Sequence, residues 1–148
     1  FSVSHDAADP IGINVFTGND KATVVTDTGV ISDDILRRLD DTTLLVLEAN
    51  YDPPMLCFGP YQPFLKQRVA SDEGHLSNEM AAQALLMMKR PNFMQVILAH
   101  RSENNNNSVL VTQTIGKMLV DGGVRIGPEM KLQHGQPNEI VSIQSVKR

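Results

Sequence analysis

The sequence predicts an α/β domain in which helices cover a sheet. Three observations predict it. Strand-like and helix-like segments alternate along the chain. Residues 22–47 read as a strand–helix–strand unit. Four predicted strands run directly into a metal-type or proton-transfer side chain: residues 1–4 into His5, 22–26 into Asp27, 44–47 into Glu48 and 96–99 into His100. In α/β proteins such groups collect just past the carboxyl ends of strands, so the four ends suggest one shared site.

Each element has a local reason. Strands are expected at residues 1–4, about 12–17 and 22–26, with Gly18, Asn19 and Asp20 supplying hairpin chemistry between the last two. Ser32 is an N-cap for a helix to about Leu39, and Asp33 and Asp34 complement its dipole. A strand over 44–47 closes the unit. Residues 51–71 are Pro-rich and irregular, becoming helical from Phe64 to Ala70. Ser77 or Asn78 caps a helix to about Lys89, which Pro91 ends. A strand over 94–99 follows. Asn104 to Asn107 reads as a polar loop. A helix from Ser108, with Val111, Ile115, Met118 and Leu119 on one stripe, stops at Gly122 and Gly123. Weaker strands are expected near 130–133 and 139–144.

The chain has 148 residues and is 41% hydrophobic, enough for one domain with a real core. No apolar run approaches the roughly 18 residues of a membrane span. The lone cysteine, Cys57, excludes an intrachain disulfide and fits a reducing cytosol. Net charge is −4, unevenly spread. Residues 1–60 hold ten acids and three bases, −7; residues 61–148 hold seven acids and ten bases, +3. An acidic first part suits cations. The mildly basic second part is either a solvated surface or a face for a phosphate backbone. Without an initiator Met, and with Phe1 inside a predicted strand, the chain reads as the C-terminal part of a longer protein.

His5 and His100 are candidate metal ligands, and Asp27, at the tip of a turn that Gly29 allows, is a candidate bridging carboxylate. Taken singly, each is also compatible with an ordinary structural role. Glu48 follows four apolar residues and is expected to be partly buried. It pairs either with an arginine or with His75 as a proton-donating carboxylate–imidazole couple. Ser77 and Asn78 are helix caps or hold a phosphate oxygen at the helix start. Lys66, Arg68 and Arg101 are solvated or contact phosphate. His134 has no motif around it.

Together, Ser4-His5-Asp6-Ala7, Thr26-Asp27-Thr28-Gly29, Leu47-Glu48-Ala49-Asn50, Gly74-His75-Leu76-Ser77-Asn78 and Leu98-Ala99-His100 resemble the later motifs of the metallo-β-lactamase-fold hydrolases, in the YycJ-like (WalJ-like) exonuclease branch. The resemblance implies the C-terminal half of an αββα sandwich, with a mixed sheet carrying helices on its outer face. It implies a 5′-to-3′ DNA exonuclease using two divalent ions, zinc or manganese, and a bridging metal-bound water. By the same resemblance His5 and His100 bind one ion each, Asp27 bridges them, Glu48 and His75 form the acid–imidazole pair, and Ser77, Asn78 and Asn104 line the pocket. The partners implied are nucleic acid and the missing N-terminal half; self-association is left open. The chain departs from the family in lacking the His-x-His-x-Asp-His motif, in having Tyr51 where relatives often carry His, and in having Pro63 and Gln67 where an aromatic and a base are expected. The alternatives are a non-catalytic assembly fragment pairing through an open sheet edge, or a hydrolase of the same fold acting on a thioester, lactone or lactam.

Overall fold

The computed structural model describes residues 1–143 of the chain. Its elements are β1 (Ile13–Thr17), β2 (Asp20–Val25), α1 (Asp33–Leu39), β3 (Leu44–Glu48), α2 (Pro53–Phe58), α3 (Pro63–Val69), α4 (Asn78–Met87), β4 (Met94–Ala99), α5 (Ser108–Asp121) and β5 (Met130–His134). The sheet runs β1-β2-β3-β4-β5. β1 and β2 pair antiparallel; β2, β3, β4 and β5 pair parallel. It is the mixed α/β sheet expected of half a metallo-β-lactamase sandwich.

Strand geometry divides the sheet into two unlike faces. Val25, Leu45, Leu47, Val96, Leu98 and Met130 point one way and pack with Ile35 and Leu39 of α1, Ala81 and Leu85 of α4, and Val111, Ile115 and Leu119 of α5. α4 lies against α5. On the other face, register aligns Ile13, Val24, Val46 and Ile97 in one row across four strands. That row is apolar yet open toward β1, where Ile13 is 48% and Val15 53% exposed. Among the described residues no helix is long and apolar enough to cross a membrane.

Several boundaries differ from the sequence reading. Residues 1–4 form no ladder strand, only a bridge between Ser2 and Ile11. The segment instead anchors the turn after β2: Ser4 receives Gly29 N–H on its carbonyl and donates its own N–H to Thr28 Oγ1. α2 lies inside the supposedly irregular stretch. Asp52 caps it through Met55 N–H, and Pro53 and Pro54 occupy its first turn, where no amide partner is needed. α4 ends at Met87, two residues early, where Arg90 reaches back to the carbonyls of Leu85 and Leu86. The strand expected at 139–144 is absent over 139–143, a segment that follows Pro137 and the positive-φ residue Asn138; residue 144 lies outside the described residues.

Leu47 is fully buried and is the apolar neighbour that seats Glu48. Leu47→Ala is expected to lower unfolding free energy by about 2–5 kcal/mol, read from the urea midpoint at unchanged slope.

Candidate metal and proton-transfer site

Two turns present the site. Asp27 follows β2 and His100 follows β4, and both adopt left-handed backbone, φ +55° and +51°. Asp and His are among the non-glycine types that tolerate this region, at a cost of about 1–3 kcal/mol each. Neighbouring bonds hold both turns. Asn50 Nδ2 donates to the His100 carbonyl at 2.8 Å, and Ala49 N–H to the Ala99 carbonyl at 3.0 Å. Beside Asp27, Gly29 lies so close to Ser71 that a Cβ would fall 2.3 Å from its carbonyl oxygen. Glycine is required there because the 71–75 loop, which delivers His75, crosses at contact distance.

The five side chains His5, Asp27, Glu48, His75 and His100 meet at this edge. Asp27 Oδ1 stands 3.7 Å from His5 Nε2 and 3.6 Å from His100 Nε2. The His5 and His75 rings are 5.2 Å apart and the His75 and His100 rings 5.3 Å. Sequence separation of up to 95 residues between His5 and His100 collapses into a single cluster.

Glu48 organises it from below. It is fully buried. Its Oε1 accepts from His75 Nδ1 at 2.7 Å and His100 Nδ1 at 3.3 Å, and its Oε2 accepts from Thr28 N–H at 3.1 Å. Burial pushes the Glu48 carboxyl pKa up, but hydrogen bonds from His100 and His75 and the Thr28 amide outweigh it, so the net shift is down. His100 is shifted the other way. Its hydrogen bond to Glu48 raises its pKa against the opposing effect of burial, with Asp27 assisting. A carboxylate that accepts from Nδ1 of both rings fixes both as Nδ1–H tautomers and leaves Nε2 free.

This donor set fits a divalent ion. Separations of 3.6–3.7 Å from Asp27 to two Nε2 atoms are too long for hydrogen bonds. They are near the roughly 3.4 Å between two donors sharing a tetrahedral ion at about 2.0–2.1 Å. Ligand atoms of His5, Asp27 and His75 lie within 4.8 Å of one another, as do those of Glu48, His75 and His100. In the second group both Glu48 oxygens already accept hydrogen bonds, so its fitting role is to orient the imidazoles.

A cavity of about 400 Å³ opens above the cluster, lined by His5, His75, His100, Tyr61, Arg68 and Asn104 among others. Asn104 lies on its wall, with Nδ2 3.5 Å from Tyr61 Oη. Ser77 and Asn78 do not line it. Ser77 is buried and caps α4 through Met80 N–H. Asn78 is buried in a reciprocal amide pair with Asn106, at 3.1 and 2.8 Å. The polar loop 104–107 is thus partly interior: Asn106 also donates to the Ala49 carbonyl, one residue from Glu48. Sequence reasoning gave no role to Asn50, Asn106 or the Asp6–Arg68 ion pair, in which Arg68 Nη2 donates to Asp6 Oδ1 at 3.0 Å. Asn50 was legible, being next to Glu48 in a strand-end motif; a pairing 62 residues apart was not.

Comparison with known proteins gives the family. The chain is 34% identical to the exodeoxyribonuclease YycJ of Bacillus anthracis over 146 residues, 99% of this chain and 55% of that protein. It is 33% identical to the exodeoxyribonuclease WalJ of Streptococcus pneumoniae over 138 residues, 93% of this chain and 51% of that one. The chain therefore spans about half the length of the curated relatives it matches. No family model matches it.

The opposed shifts of Glu48 and His100 set a pH optimum for metal-free stability. Glu48, depressed in the fold, contributes above its unfolded value of about 4.3, and that contribution is lost as pH falls through the lower folded value. His100, raised in the fold, contributes below its unfolded value of about 6.5, and that is lost as pH rises through the higher folded value. Thermal midpoints in chelator are therefore expected to peak between about pH 4.3 and 6.5. Glu48→Gln should flatten the profile. Zinc or manganese should abolish the alkaline fall, because the ion replaces the imidazole proton.

Proposed function

We propose, for a chain that belongs to the YycJ-like branch of the metallo-β-lactamase fold, that it carries half of the active site of a two-metal phosphodiesterase, a 5′-to-3′ DNA exonuclease. The observation that carries the reading is the double engagement of one buried carboxylate. Glu48 turns His100 toward Asp27 with one hydrogen bond and His75 toward the cavity with the other. A ligand and a proton donor fixed by the same group suit hydrolysis of a bond with a poor leaving group. The nuclease names of the relatives support the same class.

In this reading His5, Asp27 and His100 hold the divalent ions, zinc or manganese. When bound, the ions would supply Lewis acidity and a water acidified toward neutral pH. The chain's own residues do the rest. Glu48 keeps the His75 Nδ1 proton in place, so that Nε2 can carry and deliver a proton to the departing oxygen. Asn104 and Arg101, on the wall, contact the substrate. Ser77, Asn78 and Asn106 stiffen the floor from inside.

Three ligands cannot complete two coordination shells, so we infer that the 148 residues alone are inactive. The partner that completes them is the remaining half of a protein built like the relatives, docked on the open Ile13–Val24–Val46 face. A half-exposed apolar row fits burial against a second sheet. We place the whole in the cytosol, where exposed Cys57 stays reduced.

The test uses the intact protein, linear DNA and added manganese or zinc. Asp27→Ala is expected to abolish cleavage. His75→Ala should lower the rate on DNA by about 10²–10⁴-fold, but far less on bis(p-nitrophenyl) phosphate, whose leaving group needs no proton. Equal losses on both substrates would remove the proton-donor role. No cleavage of any DNA by the metal-loaded intact protein would remove the nuclease reading.

A further inference from the structure

We propose that the corner between α2 and α3 is a base-stacking wall for single-stranded nucleic acid entering the cavity, with Tyr61 and Phe64 holding unpaired bases and Arg101 holding backbone phosphate. The inference rests on the nuclease reading and adds the strand form of the substrate and the residues that grip it.

Three aromatic side chains fall within seven residues at this corner: Phe58, Tyr61 and Phe64. Single exposed apolar residues are ordinary on any surface. Here two aromatic rings lie six residues apart at one corner, Phe58 88% and Phe64 71% exposed. Tyr61 lines the cavity that also holds His75 and His100. Its ring is seated rather than loose, packed on Tyr51, Leu56 and Val69 with Asn104 Nδ2 beside its hydroxyl. Phe64 lies one helical turn before Arg68 on α3, and residues four apart share a face. Arg68 is itself a cavity residue. Tyr61 therefore lines the candidate site and Phe64 borders it on the Arg68 face of α3.

Charge completes the match. Arg68 is neutralised by Asp6. Arg101 lines the same cavity, and its Nη1 is buried with no hydrogen-bond partner among the described residues. A guanidinium group on the wall of a polar cavity favours an anionic oxygen. Aromatic faces beside a cation bind single strands by stacking, which needs bases freed from pairing and is tolerant of sequence.

The experiment uses the intact protein in chelator, so that nothing is cut. Anisotropy is read with a labelled oligothymidylate and with an abasic strand of equal length. Wild-type protein should bind the thymidine strand at least about fivefold more tightly. Phe64→Ala, and separately Tyr61→Ala, should bring that ratio toward one. Arg101→Ala should weaken both strands alike and flatten the salt dependence by about 0.7 log per log. Equal wild-type affinity for the two strands overturns the proposal. So does a ratio unchanged in both aromatic variants, or a Phe64→Ala variant that loses thermal stability while keeping the ratio, which would mean the ring is buried against the rest of the protein. Failure of the nuclease reading is separate: no strand would be cut once manganese replaces the chelator.

Discussion

A single carboxylate with no solvent exposure, Glu48, is the constraint around which the rest of this structure is arranged. An unpaired buried charge is costly, and the protein answers with three donors from three parts of the chain. The Thr28 amide comes from the turn after β2, His75 from the loop before α4, and His100 from the end of β4. Satisfying one buried group therefore brings together the turns that carry Asp27 and His100. Stability and site geometry are one problem here. The left-handed residues Asp27 and His100 are the local expense of that arrangement, held in place by Asn50 and the Ser4 segment.

The second theme is an interior built from asparagine. Asn50, Asn78, Asn105 and Asn106 are all buried. Asn78 and Asn106 satisfy each other and tie α4 to the loop before α5, while Asn50 grips the His100 turn. Amide pairs have a fixed donor–acceptor geometry, so they hold a backbone in register where apolar packing would tolerate slippage. Of these asparagines Asn50 lines the cavity, and Tyr61 lines it from the side of the α2–α3 corner.

Much of this was legible in the sequence because the informative signals are local. Parallel strands of consecutive apolar residues, a Ser32 cap and the Gly122 stop each depend on a few neighbours, and each appears where the pattern put it. The strand-end residues Asp27, Glu48 and His100 follow from the rule that such ends share an edge. What escaped depended on contacts across the chain. Residues 1–4 have a strand's composition but spend their hydrogen bonds on the 28–29 turn. Pro53 and Pro54 look like breakers until Asp52 makes them a helix start. Ser77 and Asn78 carry polar side chains suited to a pocket, yet face inward because caps and amide partners claimed them first. The sharing of Glu48 between two histidines 25 residues apart left no trace in local pattern.

The central claim is that Glu48 stands behind the ligands and orients them, while Asp27, His5 and His100 face the ions. Crystals of the intact protein soaked in zinc, measured by anomalous diffraction at the zinc edge, test it most directly. The account predicts peaks within bonding distance of Asp27 and the Nε2 atoms of His5 and His100, with Glu48 still bonded to Nδ1 of His75 and His100. A peak ligated by Glu48 itself, or no peak beside Asp27, would contradict it.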